Sequence, residues 1–366
     1  MQKETFYEAV HRNGVSRRDF LKFCLMMTAS LGFDYSMFPT VVKALESKPR
    51  PPVYWLNFAA CTCCTESVIK AAHPLASEAI LSIISLDYME TIQAAAGHQA
   101  EEIISKGMKE NAGEYILLVE GSVPFGAEGM YCSIGGRPAI EVLKEAAANA
   151  KLIMSIGACS SFGCITTADP NPTECKPIYK IITDKQVVNV SGCPPIPDVI
   201  MGTIVHLIAF GEPPEVDLFH RPKAFYGVRI HDNCYRRAYF DSGMFVTKFD
   251  DEAARQGYCL YKMGCRGPTT YNDCAVMKWN NGVSYPIQSG HPCIGCSEPG
   301  YWDNKPLYQH LSDVPYVGLG TPDNIGEALA IGVAFATGAH LVASGVKKAR
   351  MKKPPEPPDE QKEKEE

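Results

Sequence analysis

Fifteen cysteines stand in 366 residues, most of them in pairs or triplets at short spacing. Thiols at such spacing either hold metal or form disulfides. A chain this long buries a core without covalent staples, and the adjacent Cys63 and Cys64 are poorly arranged for ordinary disulfide pairing. Metal ligation is therefore the reading to pursue. The N-terminal set opens with Ala60-Cys61-Thr62-Cys63-Cys64-Thr65-Glu66, whose Cys-x-x-Cys alone suits zinc or a redox dithiol equally well. Gly157-Ala158-Cys159-Ser160-Ser161-Phe162-Gly163-Cys164 and Gly192-Cys193-Pro194-Pro195 accompany it. Their glycines let backbone approach a bulky cofactor, and their prolines stiffen the loop. Four thiolates, Cys61, Cys64, Cys159 and Cys193, suffice for one iron–sulfur cubane, which leaves Cys63 and Cys164 in surplus.

A second set follows, with His231, Cys234, Cys259, Cys265, Cys274, Cys293 and Cys296. Seven ligands divide naturally into four and three. A group of three cysteines suits a cluster lacking one iron, and a histidine replacing one cysteine raises the potential and suits a surface-facing terminal cluster. Alone, His231 would read as a structural histidine; its place three residues before Cys234 makes it a ligand.

Ligands so far apart in sequence need a scaffold to bring them together. Apolar runs at 53–58, 80–86, 115–119, 152–156 and 187–190 read as strands, and 65–72, 90–108, 138–150 and 196–210 as the helices between them. Strands alternating with helices imply an α/β fold, a flavodoxin-like parallel sheet covered on both faces, over 45–220. In such sheets ligands gather at the carboxyl ends of the strands. Cys61, Cys63 and Cys64 follow the first strand, Glu120 the third, Cys159 and Cys164 the fourth and Cys193 the fifth, all at one edge. From 221 to 318 Gly, Pro, Asn and Tyr become frequent and no long periodic helix is expected through Tyr316. Such a segment needs its ligands to organise it.

Bulk properties narrow the function further. A net charge of −6, with 46% hydrophobic and 21% charged residues, is ordinary for a globular protein, and no basic excess suggests a nucleic-acid partner. Ser16-Arg17-Arg18-Asp19-Phe20-Leu21-Lys22, the apolar run 23–33 and Val42-Lys43-Ala44 read as a twin-arginine signal peptide over 1–44. That route moves folded proteins whose cofactors are already inserted. Near the other end, 325–346 is small and apolar apart from Glu327 and His340, and long enough to cross a core of ~30 Å. The basic residues after it place the tail, 347–366, in the cytoplasm as a disordered segment, and His340 is a candidate contact to a membrane partner.

Taken in order, the twin-arginine leader, Cys-Thr-Cys-Cys-Thr-Glu-Ser at 61–67, Ala72-His73-Pro74, Gly192-Cys193-Pro194-Pro195, His231-x-x-Cys234, Gly264-Cys265-x-Gly267-Pro268 and Gly290-His291-Pro292-Cys293-x-x-Cys296 form a specific pattern. Over essentially the whole chain it resembles the small subunit of membrane-bound, oxygen-tolerant nickel–iron uptake hydrogenases. The resemblance implies a proximal cluster on Cys61, Cys64, Cys159 and Cys193, a medial [3Fe–4S] cluster on Cys274, Cys293 and Cys296, and a distal [4Fe–4S] cluster on His231, Cys234, Cys259 and Cys265. With Cys63 and Cys164 it implies a six-cysteine [4Fe–3S] proximal cluster, or [4Fe–4S], with the Glu120 carboxylate nearby. It further implies a large subunit that cleaves hydrogen, a membrane cytochrome b, quinone as acceptor, and a heterodimer or dimer of heterodimers on the periplasmic face. One position departs: where many members carry Glu before the first ligand, this chain has Ala60. Cys24 falls in the leader, and Cys132 and Cys175 read as inert. Two rivals make different predictions. A relay subunit of another membrane oxidoreductase has no reason to keep the 231–296 block, and a zinc-stabilised exported protein would be colourless and iron-free.

Overall fold

The computed structural model describes residues 4–30, 34–71, 84–304, 306–310 and 322–350, with side chains of the last helix described from 329 to 348. Three helices come first, α1 (Phe6–Arg12), α2 (Arg17–Ser30) and α3 (Phe38–Ser47). A capping box between Thr5 and Glu8 starts α1. In α2 Phe20, Cys24 and Met27 are buried while Leu25 and Met26 are exposed. Val42-Lys43-Ala44 lies within α3, with Ala44 and Leu45 buried.

The scaffold is a five-stranded sheet. Strands β1 (Pro52–Asn57), β2 (Ser85–Met89) and β3 (Ile116–Glu120) are followed by a two-strand hairpin, β4 (Ser133–Ile134) and β5 (Arg137–Pro138), and then by β6 (Leu152–Ile156) and β7 (Val187–Val190). The sheet order is β2-β1-β3-β6-β7 and every pair in it is parallel. This is the flavodoxin-like order expected from the alternating pattern. Odd and even positions of each strand enter different cores, as a two-residue repeat requires. Val53, Trp55, Leu118, Met154 and Val188 join one cluster; Tyr54, Leu56, Leu117, Ile153 and Val187 join the other.

Helices α4 (Cys63–Ile69), α5 (His98–Glu110), α6 (Ala139–Ala148) and α7 (Gly157–Phe162) occupy the crossovers, and α8 (Pro197–Phe210) follows the last strand. Residues of α5 and α6, such as Ile104 and Leu143, pack on one face of the sheet. The other face takes α4 and α8 together with the N-terminal helices. Three elements differ from expectation. The second strand lies at 85–89 rather than 80–86, of which 80–83 fall outside the described residues. Helix α5 begins at His98, not Glu90, because Gly97 takes a left-handed φ of 58° that stops helical propagation through the preceding alanines. Helix α4 starts at Cys63, two residues before its expected first turn, held there by a residue from across the sheet.

Beyond Gly211 regular structure thins out. Residues 223–226, 237–241 and 252–255 form single helical turns, and polar cross-links replace periodic packing. Arg221, 2% exposed, donates to Asp217 Oδ2 at 2.8 Å, Glu298 Oε1 at 2.9 Å and the Ser297 carbonyl at 2.8 Å. Tyr226 donates to the Ser191 carbonyl at 2.7 Å, just before Cys193. The body through Gln309 is one compact unit. A second unit contains α9 (Pro322–Arg350), whose segment Leu329–Lys348, of mean hydropathy 1.7, is long and apolar enough to cross a membrane. The expected span at 325–346 overlaps it, and His340 lies inside it.

Candidate metal centres

Strand register builds the first centre. Asn57 pairs with Glu120, Glu120 with Ile156 and Ile156 with Val190, so the last residues of β1, β3, β6 and β7 form one row across the sheet. The chain leaving each of the four strands carries the candidate residues onto a common edge. A concavity there is lined by Ala60, Cys61, Cys63, Cys64, Glu120, Cys159, Gly192, Cys193 and Pro194. Cys164 is buried beside it, with Cys159 and Cys193 as electrostatic neighbours. Loops are locked together by main-chain bonds, Ala158 N–H to the Gly192 carbonyl at 2.7 Å and Ala59 N–H to the Ser122 carbonyl at 3.0 Å.

Glu120 explains the early start of α4. Thr62 stands at the cap with a φ of 67° and offers no side-chain bond. Instead the Glu120 carboxylate, 1% exposed, accepts from the N–H groups of Cys64 and Thr65 at 3.1 Å each and from the Thr65 hydroxyl at 2.7 Å. Trp55 Nε1 adds a fourth donor at 3.3 Å. A carboxylate on these free N–H groups stabilises the helix start and fixes the Cys63–Cys64 pair. Gly157 completes the cradle: its φ is 91°, and a Cβ there would strike the Cys64 sulfur.

The second set separates into two groups. A second concavity is lined by His231, Cys234, Cys259 and Cys265, together with Arg236, Tyr261 and Ile287. Cys274, Cys293 and Cys296 are mutual electrostatic neighbours. The three-cysteine group touches both others. Cys293 N–H points at the Cys265 sulfur at 3.4 Å, and Cys296 lies beside Cys193. The spatial order is therefore the sheet-edge set, the three-cysteine set, then the histidine-containing set.

Electrostatics suit metal-bound thiolates. Burial pushes Cys64 and Cys274 well above the ordinary thiol value, and Cys259 and Cys296 up to about 11. The neighbouring Cys159 thiol and then burial, opposed by Cys193, hold Cys164 up at about 12. Cys193 is raised first by Cys164 and then by burial. Such thiols stay protonated unless a cation supplies the compensating charge. His231 moves the other way: burial, then Arg237, lowers it, which keeps the imidazole neutral and able to ligate. Among the described residues no three His, Cys, Asp or Glu side chains converge on a single ion-sized point. Thiols ranged around a void fit a multi-iron cluster better than a tetrahedral zinc ion. All fifteen cysteines lie among the described residues and none is in a disulfide.

Sequence reasoning missed several partners. Tyr301 bonds to Cys164 at 3.1 Å and Tyr285 to Cys234 at 3.5 Å. Arg221 and Arg266 also escaped it; Arg266 Nη1 donates to the Tyr301 carbonyl at 2.6 Å and the Ile294 carbonyl at 3.3 Å. The only available signal was the density of tyrosines after residue 225.

Comparison with known proteins agrees with this geometry. Residues 226–309 match the family model for the C-terminal region of NiFe/NiFeSe hydrogenase small subunits, and 61–207 match that of the NADH ubiquinone oxidoreductase 20 Kd subunit. The chain is 54% identical to the hydrogenase-1 small chain of Escherichia coli K12 over 349 residues, covering 95% of this chain and 94% of that one. It is 51% identical to the uptake hydrogenase small subunit of Azotobacter vinelandii over 350 residues, 95% of this chain and 98% of that one. Among solved structures, the [NiFeSe] hydrogenase of Desulfovibrio vulgaris Hildenborough aligns with a TM-score of 0.68 at 35% identity, over 72% of this chain and 99% of that chain. From its fold, its cysteine-lined edge and these relatives together, this chain belongs to the nickel–iron hydrogenase small-subunit family, the iron–sulfur electron-relay component of a hydrogen oxidoreductase whose catalysis lies on a large subunit.

Proposed function

We propose that this chain conducts electrons from the large subunit outward through three clusters in the spatial order of its ligand groups. Cys61, Cys63, Cys64, Cys159, Cys164 and Cys193 would hold a proximal [4Fe–3S] cluster, or [4Fe–4S] with two spare thiols. Cys274, Cys293 and Cys296 would hold a medial [3Fe–4S] cluster, and His231, Cys234, Cys259 and Cys265 a distal [4Fe–4S] cluster. When bound, these clusters supply one-electron redox chemistry. The protein's residues supply the thiolates, Glu120 and Gly157 shape the proximal cradle, and the packed aromatic side chains keep water away. The observation that carries the reading is the position of the three-cysteine group, with Cys293 against Cys265 and Cys296 against Cys193.

The same reading places the exposed Cys61, Cys63 and Cys193 edge against the large subunit, as a heterodimer or a dimer of heterodimers. The distal group would face a membrane cytochrome b that passes electrons to quinone. Arg17 and Arg18 at the head of an apolar helix support twin-arginine export and removal of 1–44. The apolar segment of α9 followed by Lys347, Lys348 and Arg350 supports a single anchor with the body on the periplasmic side. The surplus Cys63 and Cys164 support oxygen tolerance, carried without a carboxylate at position 60.

Electron paramagnetic resonance of the purified complex, with iron and sulfide counts, tests the assignment. The expected result is a three-iron signal on oxidation and about 11 cluster iron with about 11 sulfide per chain, in addition to the iron of the large subunit's nickel–iron centre. Zinc without iron, or no three-iron signal, contradicts it.

A further inference from the structure

One residue of the C-terminal segment reaches into the sheet-edge site. Tyr301 is 7% exposed and its ring packs with Cys164, Ala158 and Trp302, while Cys159, Ile294 and Cys296 border the same small cluster. Its hydroxyl lies 3.1 Å from the Cys164 sulfur, across 137 positions of sequence. The phenol cannot easily swing away. Its ring meets Trp302 edge-on at 5.4 Å, and Arg266 pins the Tyr301 carbonyl at 2.6 Å while also holding the carbonyls of Ile294 and Pro306, each at 3.3 Å. Cys164 is equally constrained, 1% exposed with a left-handed φ of 50°. The surplus thiol is thus presented, shut off from water, to one fixed hydroxyl.

We propose that Tyr301 is a positioning residue of the proximal centre, its hydroxyl donating a hydrogen bond to the Cys164 sulfur and thereby raising the potential at which that centre gives up electrons. The inference rests on the cluster assignment above and adds to it a residue that no ligand count points to. Its physics is simple: a hydrogen bond donated to a cluster thiolate favours the more electron-rich state, so removing the donor makes oxidation easier. The structure also carries an internal control. Tyr285 bonds to Cys234 of the histidine-containing group in the same way but at 3.5 Å, a looser contact at a different centre.

The test is a redox titration of the purified complex followed by electron paramagnetic resonance, comparing the wild type with Tyr301→Phe and Tyr285→Phe. The expected result is a shift of the proximal transitions to lower potential in Tyr301→Phe, with medial and distal midpoints and the melting temperature unmoved. Tyr285→Phe should move the distal midpoint alone. Difluorotyrosine at 301, a stronger donor of the same shape, should shift the proximal transitions upward. Proximal transitions unmoved by both replacements at 301, or moved equally by Tyr285→Phe, overturn the proposal. If Tyr301→Phe assembles poorly, the sign of the difluorotyrosine shift decides. A wild type without any proximal signal would instead contradict the cluster assignment, so the two failures are distinguishable.

Discussion

The sheet and the segment after it solve the same problem, holding thiols around a void, by opposite means. In the sheet, strands buried on both faces fix a register that aligns Asn57, Glu120, Ile156 and Val190, and the ligand loops inherit their positions from that row. Apolar burial does the work, and no ligand is needed for the strands to form. Between 221 and 309 helical turns of four or five residues are joined by buried arginines and tyrosines, with two ligand groups in their midst. Here the loops have little periodic core to lean on. Under the proposed assignment the comparison teaches that the sheet places its own ligand group, whereas the two groups beyond it would help to organise the segment that holds them.

Variants sharpen this contrast. The largest effect expected is functional and confined to the sheet edge. Cys63→Gly with Cys164→Gly should keep hydrogen oxidation in anaerobic buffer and lose it under air, with the three-iron signal of the C-terminal segment unchanged; an activity assay in both atmospheres checks this. Arg221→Ala should cost about 3–5 kcal/mol, because it removes the buried guanidinium that pairs with Asp217 and Glu298 and ties 217–221 to 297–298. Denaturant unfolding measures that loss. Leu118→Ala, at a fully buried position of β3, should cost about 3 kcal/mol in the same assay while leaving the distal and medial signals of the folded protein intact. Glu120→Gln keeps the shape but trades an acceptor oxygen for a donor, so one of the N–H bonds at the start of α4 is lost. A cost of about 1–2 kcal/mol and faster amide exchange at Cys64 or Thr65 are expected.

How far the molecule can be read from its residues follows the same division. Strands β1, β3, β6 and β7 announce themselves as short continuous apolar runs, and with them the edge on which the thiols gather. Helix starts were less visible where the determinant is remote or conformational. The cap of α4 comes from Glu120, 56 positions from Cys64, and α5 waits for Gly97. Chemistry divides the seven candidate ligands of the C-terminal segment into four and three, whereas which residue belongs to which group came only from the resemblance; in the structure His231, Cys234, Cys259 and Cys265 line one concavity, with Cys274, Cys293 and Cys296 close to one another. The segment's architecture was not legible. Arg221 to Glu298 spans 77 positions and Tyr301 to Cys164 spans 137, and a single long-range hydrogen bond leaves no periodic trace in sequence.

Amide hydrogen exchange of the purified complex, before and after iron is removed by anaerobic chelation, addresses the contrast most directly. Protection should collapse across 226–309 while β1, β3, β6 and β7 retain theirs. Equal loss in both regions, or full retention in both, would contradict the claim that the sheet positions its ligands and the segment beyond it is organised by its own.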